Sequence, residues 1–135
     1  MIENIRKSLY KVAEKAGIDK PEIHIEHPDD ISHGDFSSNI ALSYSKQLKT
    51  NPKTLAEKII EEFKKEMPKD VESVSVAGPG FINFILSPKY FLNQLDGILK
   101  DGNKYGRSLK NKKTVLVEYS SPNIAKPFGV GHLRS

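Results

Sequence analysis

The sequence predicts an α+β fold, a small antiparallel sheet covered on one face by about four helices. Three observations carry that expectation. Apolar residues recur at helical spacing in four separate stretches. Residues 71–86, VESVSVAGPGFINFIL, alternate apolar and polar residues around Ala77-Gly78-Pro79-Gly80, a strong hairpin pattern. Near the end an apolar run, Val115, Leu116 and Val117, gives way to a polar turn and then to Gly129-Val130-Gly131-His132. A buried strand, a small-residue turn and a helix start is the layout of a nucleotide site in an α/β sheet, where phosphates meet free backbone N–H groups. Helices laid over one face of the small sheet is the packing the other elements favour.

Residues 2–16 place Ile2, Ile5, Leu9, Val12, Ala13 and Ala16 on one helical face, with Gly17 as the stop. Ile23 and Ile25 alternate with polar neighbours and predict a short strand over 22–26. His24 and His27 lie beside it, but the further ligands a metal needs are missing at workable spacing, so both are expected to be solvated, with no metal bound. His33-Gly34-Asp35-Phe36 predicts a loop entering a helix of about residues 37–48, striped by Ile40, Ala41, Tyr44 and Leu48 and capped by Ser37 or Asp35.

Asn51-Pro52 opens the next helix, with asparagine at the cap and proline at the first position, where its missing N–H costs nothing. Leu55, Ile59 and Phe63 form its inner face, while Lys58, Glu61, Glu62 and Lys65 stay wet. In the hairpin Val74, Val76, Ile82, Phe84 and Leu86 should point into the core. Ser73, Ser75, Phe81, Asn83 and Ile85 should point the other way, onto a face no helix covers. Ser87-Pro88 then starts a helix to about Lys100, with Phe91, Leu92, Leu95 and Leu99 inward and Gly102 as its stop.

A chain of 135 residues can hold one domain with a real core plus a short extra segment, and 37% apolar residues predict a modest core under a wet surface. The absence of cysteine excludes disulfides and thiolate metal sites and points to a reducing cytosol. The first residues alternate charge with apolar groups, unlike a signal peptide, and no window reaches membrane-spanning length; a soluble, cytoplasmic protein with no membrane partner is expected. The net charge of +4 is uneven. Lys100, Lys104, Arg107, Lys110, Lys112 and Lys113 stand against Asp101 alone, leaving a basic connector where a polyanion would be drawn.

The stretch VEYSSPNIAKPF followed by Val130-Gly131-His132-Leu133-Arg134-Ser135 resembles the opening of the catalytic domain of arginyl-tRNA synthetase, a class I aminoacyl-tRNA synthetase. HGDFSSNIAL at 33–42 and VAGPGFINF at 76–84 resemble segments of that family's appended N-terminal domain, in the same order. The resemblance implies three segments. Residues 1–101 are an appended tRNA-contacting domain and 102–113 a basic connector. Residues 114–135 are the first strand and loop of a truncated Rossmann-type catalytic domain, ending just after the His-x-Gly-His signature.

It also implies roles. Phe81 and Asn83 match an aromatic and an asparagine that meet an unpaired D-loop base at the tRNA corner. An aromatic can stack on a base and an asparagine amide can donate to and accept from its edge. Pro122 to His132 (Pro122, Asn123, Ile124, Ala125, Lys126, Pro127, Phe128, Gly129, Val130, Gly131, His132) form the signature region. Glu118, Ser121, Pro122, Asn123 and His132 match positions that hold L-arginine, and a carboxylate ending a buried strand suits a guanidinium or an α-ammonium. Lys126, Gly131 and His132 match the ATP site, with His132 and Lys126 in the catalytic roles. One departure is Gly129, which stands where the signature has its first histidine.

The parent protein would then be an arginine–tRNA ligase, joining ATP and L-arginine to an adenylate and moving the arginyl group to the arginine-acceptor tRNA, with Mg as the companion of ATP in the complete enzyme. The complete enzyme is expected to act as a monomer. The 135-residue piece is expected to be inactive alone, to bind no cofactor, and either to pack loosely over 104–135 or to self-associate through an orphan strand at Val115–Tyr119. The competing reading is a free-standing RNA-binding or protein-interaction module. The helix that opens after Gly131 and stays unfinished argues against it. A small nucleotidyltransferase built on Gly-x-Gly-His fails because no second half-site completes the nucleotide pocket.

Overall fold

A computed structural model of the chain describes residues 1–107, 114–117, 127, 129 and 130. The chain divides into two units, Met1–Gly102 and Asn103–Ser135.

The first unit is the expected α+β arrangement. Helices α1 (Ile2–Lys15), α2 (Ile40–Ser45), α3 (Pro52–Lys65) and α4 (Pro88–Asp101) accompany strands β1 (Phe36–Ser38), β2 (Val71–Ala77) and β3 (Phe81–Leu86). The strands form an antiparallel sheet in the order β1-β3-β2, so β3 is central. Ile5, Leu9, Val12 and Ala13 of α1 and Leu55, Ala56, Ile59, Ile60 and Phe63 of α3 are buried with Val74, Ile82, Phe84 and Leu86 in one core. The helix ends follow local chemistry. Asn51 accepts the Lys53 N–H at 2.9 Å and Ser87 accepts the Tyr90 N–H at 3.3 Å, each just ahead of a proline.

The alternation across the hairpin holds, with one local exception. The register slips between Val71 and Ser73, a bulge that lets Val71 and Val74 both face the core although they are three residues apart.

Two stretches differ from the sequence reading. Residues 22–26 form no strand; only Glu26 bridges, to Ser37. The predicted helix over 37–48 begins later, because Phe36–Ser38 are β1 and α2 starts at Ile40. Non-local bonds decide this. The Asp35 N–H donates to the Phe84 carbonyl at 2.9 Å, and the Asp35 carboxylate accepts the Leu86 N–H at 2.7 Å. Ser37 exchanges both backbone hydrogen bonds with Glu26, at 2.8 and 3.0 Å. Neither Asp35 nor Ser37 is therefore a helix cap.

Helix α4 is present, but its apolar face is not inward. It buries none of its residues, and Phe91, Leu92, Leu95 and Leu99 are all exposed. Four helices accompany the three-stranded sheet, as expected, and α4 differs only in leaving this apolar face exposed.

In the second unit Val115, Leu116 and Val117 are exposed at 72%, 92% and 71% and belong to no strand among the described residues. Glu118 and Tyr119, the rest of the expected strand, lie outside the described residues. Among the described residues no helix is long and apolar enough to cross a membrane.

Candidate nucleic-acid interface

The hairpin places Phe81 and Asn83 two residues apart on one strand, hence on one face of the sheet. Asn83 pairs with Ser37 on one side and Ser75 on the other, so a polar row crosses all three strands on the face opposite the core. The turn that precedes Phe81 is closed by the Gly80 N–H donating to the Ala77 carbonyl at 3.2 Å.

A cavity of about 360 Å³ lies on this face. The turn contributes Ala77 and Pro79, β3 contributes Phe81 and Asn83, and the opposite wall comes from Glu26, Pro28 and His33, with Ser37 between. The structure thus brings the two predicted residues into one site. It also corrects their setting. Phe81 is partly exposed, but Asn83 is only 6% exposed, so the pair is recessed and not displayed on a bare sheet. The cause is the segment bridged to β1 through Glu26 and Ser37.

Among the described residues the lining contains neither lysine nor arginine, and Glu26 adds a carboxylate. A phosphate would be repelled there, while a flat uncharged group with polar edges fits an aromatic ring, a proline and an amide. The loop before β1 is held by its own polar contacts. Asp30 accepts the Ser32 N–H at 2.8 Å, and hydrogen bonds from Ser32 hold the Asp30 carboxyl below its ordinary range. His27 bonds the Asp35 carbonyl at 2.9 Å through Nδ1 and lies 4.5 Å from the Phe36 ring, so it is engaged and not merely solvated. A larger cavity of about 620 Å³ between α1 and α3 carries Lys15, Lys58, Glu61 and Glu62, a mixed-charge lining that selects no ligand class.

Glu26, Pro28, His33 and Ser37 were not singled out as site residues from the sequence. The segment HGDFSSNIAL was the available signal for two of them, but read as a loop and helix it could not place Ser37 beside Asn83.

Of the residues expected to hold ATP and arginine, Glu118, Ser121, Pro122, Asn123, Lys126, Gly131 and His132 lie outside the described residues, as do Ile124, Ala125 and Phe128 of the signature region. Pro127 and Val130 are exposed, as is Gly129. Among the described residues no three histidine, aspartate or glutamate side chains come together as a metal site would need.

Comparison with known proteins gives concordant matches. The family described as "Arginyl tRNA synthetase N terminal domain" matches residues 1–86. The family described as "tRNA synthetases class I (R), catalytic domain" matches residues 94–135. The chain is 46% identical over 118 residues to an arginine–tRNA ligase of Brucella ovis, covering 87% of this chain and 20% of that protein. It is 37% identical to one of Prosthecochloris aestuarii, covering 99% of this chain and 24% of that protein. Among solved structures it superimposes on the Plasmodium falciparum arginyl-tRNA synthetase with a TM-score of 0.65 at 27% identity, over 98% of this chain and 26% of the other. The Thermus thermophilus arginyl-tRNA synthetase gives a TM-score of 0.62 at 21% identity, over 98% and 21%, a likeness of fold. The chain spans about a fifth to a quarter of the length of the curated relatives it matches.

Proposed function

Because the chain belongs to the arginyl-tRNA synthetase family, we propose that it is the N-terminal part of an arginine–tRNA ligase and that residues 1–101 seat an unpaired D-loop base of the arginine-acceptor tRNA. The observation that carries this reading is the cavity in which Phe81 and Asn83 meet, lined among the described residues by neither lysine nor arginine. It suits a nucleobase better than a backbone phosphate. The phosphates are left to the basic connector, where Lys100, Lys104 and Arg107 begin the positive run. Two family domains matched in tandem favour this reading over a free-standing interaction module.

Phe81→Ala tests it. Loss of one stacked base costs about 1–3 kcal/mol, so the affinity for arginine-acceptor tRNA should fall roughly 5- to 150-fold. Fluorescence anisotropy with labelled tRNA reads this directly, and an unchanged affinity would remove Phe81 from the interface.

The remainder of the reading concerns the complete enzyme, which would use ATP to activate L-arginine and then esterify the tRNA. The chemistry needs no protein nucleophile; it needs the arginine carboxylate held in line with the α-phosphate and charge neutralised as it develops. Glu118, Ser121, Pro122 and Asn123 would hold arginine, with His132 touching both substrates and Gly131 admitting the nucleotide to the backbone. With Gly129 in place of the signature's first histidine, Lys126 becomes the nearest cation in sequence for the phosphates. Lys126→Ala in the complete enzyme should slow adenylate formation by about tenfold or more. An unchanged rate of arginine-dependent pyrophosphate exchange would take Lys126 out of the site.

A further inference from the structure

We propose that Ser37 is a positioning residue that fixes which face of the Asn83 amide meets the D-loop base, and so sets the choice of base; this rests on the reading of the cavity given above. The Ser37 hydroxyl lies 2.8 Å from Asn83 Oδ1, and the two side chains are 5% and 6% exposed. A hydroxyl has one proton to give. The hydroxyl can also accept, but with the amide turned over its own proton would lose Asn83 Oδ1, the acceptor it has among the described residues, and this holds the oxygen end toward β1.

The opposite end, Nδ2, has no protein partner among the described residues and belongs to a residue lining the cavity. A nearly buried amide that spends its carbonyl on a serine and keeps both N–H donors for the cavity is a donor, not an ambidextrous reader. It selects bases that offer a ring nitrogen or carbonyl at that point. Turned over, the same amide would present its carbonyl and favour an exocyclic amine instead.

Ser37 is well placed to enforce this. Its backbone N–H and C=O both bond Glu26, and β1 pairs it directly opposite Asn83, so neither partner can drift. The resulting discrimination is not available from Asn83 alone, since an unrestrained amide can rotate by a half-turn to suit either kind of edge.

The test uses the 135-residue chain and four transcripts of arginine-acceptor tRNA that differ only in the unpaired D-loop base, with affinities from fluorescence anisotropy. Wild type should separate the best and worst bases by about tenfold or more. Ser37→Ala and the near-isosteric Ser37→Cys should shrink that spread to about threefold or less while leaving the weakest transcript's affinity nearly unchanged. Ser37→Thr, which keeps the hydroxyl, should preserve it. Asn83→Ala should abolish it.

If the Ser37→Ala and Ser37→Cys variants keep the full spread while Asn83→Ala loses it, the positioning role is wrong and the cavity reading stands. The role is equally overturned if those variants weaken all four transcripts by one common factor, the signature of a merely structural serine. If wild type shows no spread, or Asn83→Ala keeps one, the cavity does not read the base and the function proposed for it falls first.

Discussion

Replacing Phe84 with alanine is expected to cost about 3–5 kcal/mol of folding stability. Phe84 is fully buried at the middle of the central strand, with Phe36 opposite it on one side and Val74 on the other. Its ring meets Phe63 of α3 edge-on, with centroids 5.3 Å apart at 62°. Removing it therefore opens a cavity where both sheet partners and the covering helix converge, and none of the three can close the gap without breaking register. A domain of this size has only about 5–15 kcal/mol in total, so the variant should unfold at a far lower urea concentration. The fall in melting midpoint should be on the order of 15 °C or more. Far-UV circular dichroism through a urea titration measures it. Phe91→Ala supplies the contrast. That ring is 49% exposed on α4, and its loss should cost less than about 1 kcal/mol. Equal costs at the two positions would mean that the central strand is not the anchor of the core.

The contrast between those phenylalanines also measures what the sequence carries. Periodicity tells that α4 has an apolar face, but not that a partner lies within reach of it, and Phe91, Leu92, Leu95 and Leu99 are exposed despite a regular pattern. Elements whose signals are local were legible. Asn51-Pro52 and Ser87-Pro88 begin helices by the chemistry of two adjacent residues, and the parity of β2 and β3 follows from a turn and two alternating runs. Strand β1 was not legible. Its three residues carry no alternation, and Ser37 and Asp35 look like caps until Glu26, Phe84 and Leu86 are brought beside them. The candidate site divides in the same way. Phe81 and Asn83 fall on one face by counting and by resemblance, whereas the recess around Asn83 depends on Ser37, 46 positions away, and on the Glu26 segment bridged to it. Asn39 begins α2 without a side-chain cap, and its buried Oδ1 has no hydrogen-bond partner among the described residues; nothing in the structure explains an asparagine there.

Gly34→Ala should destabilise the same unit by about 2–4 kcal/mol, through the backbone and not the core. Gly34 sits at φ 93°, ψ −169°, a region only glycine occupies without strain. A Cβ there would lie 2.7 Å from the Phe84 carbonyl oxygen, which is backbone of the central strand and cannot swing aside. That same oxygen accepts the Asp35 N–H, and the Asp35 carboxylate in turn accepts the Leu86 N–H, so displacing residue 34 loosens both ties between the loop and β3. Each buried group left unpaired adds about 1–3 kcal/mol. The damage should also reach the cavity, because His33 and Ser37 flank the displaced segment and both line it. If the cavity seats tRNA as proposed, affinity for it should therefore fall under conditions where the variant is still folded. Gly78→Ala separates the contributions. Gly78 has φ 51° in open space, with nothing within 4 Å of a Cβ, and its substitution should cost only about 1–2 kcal/mol. If urea titration finds Gly34→Ala no worse than Gly78→Ala, the loop can yield to the methyl group, and the close approach to Phe84 is not what fixes the conformation of residues 33–36.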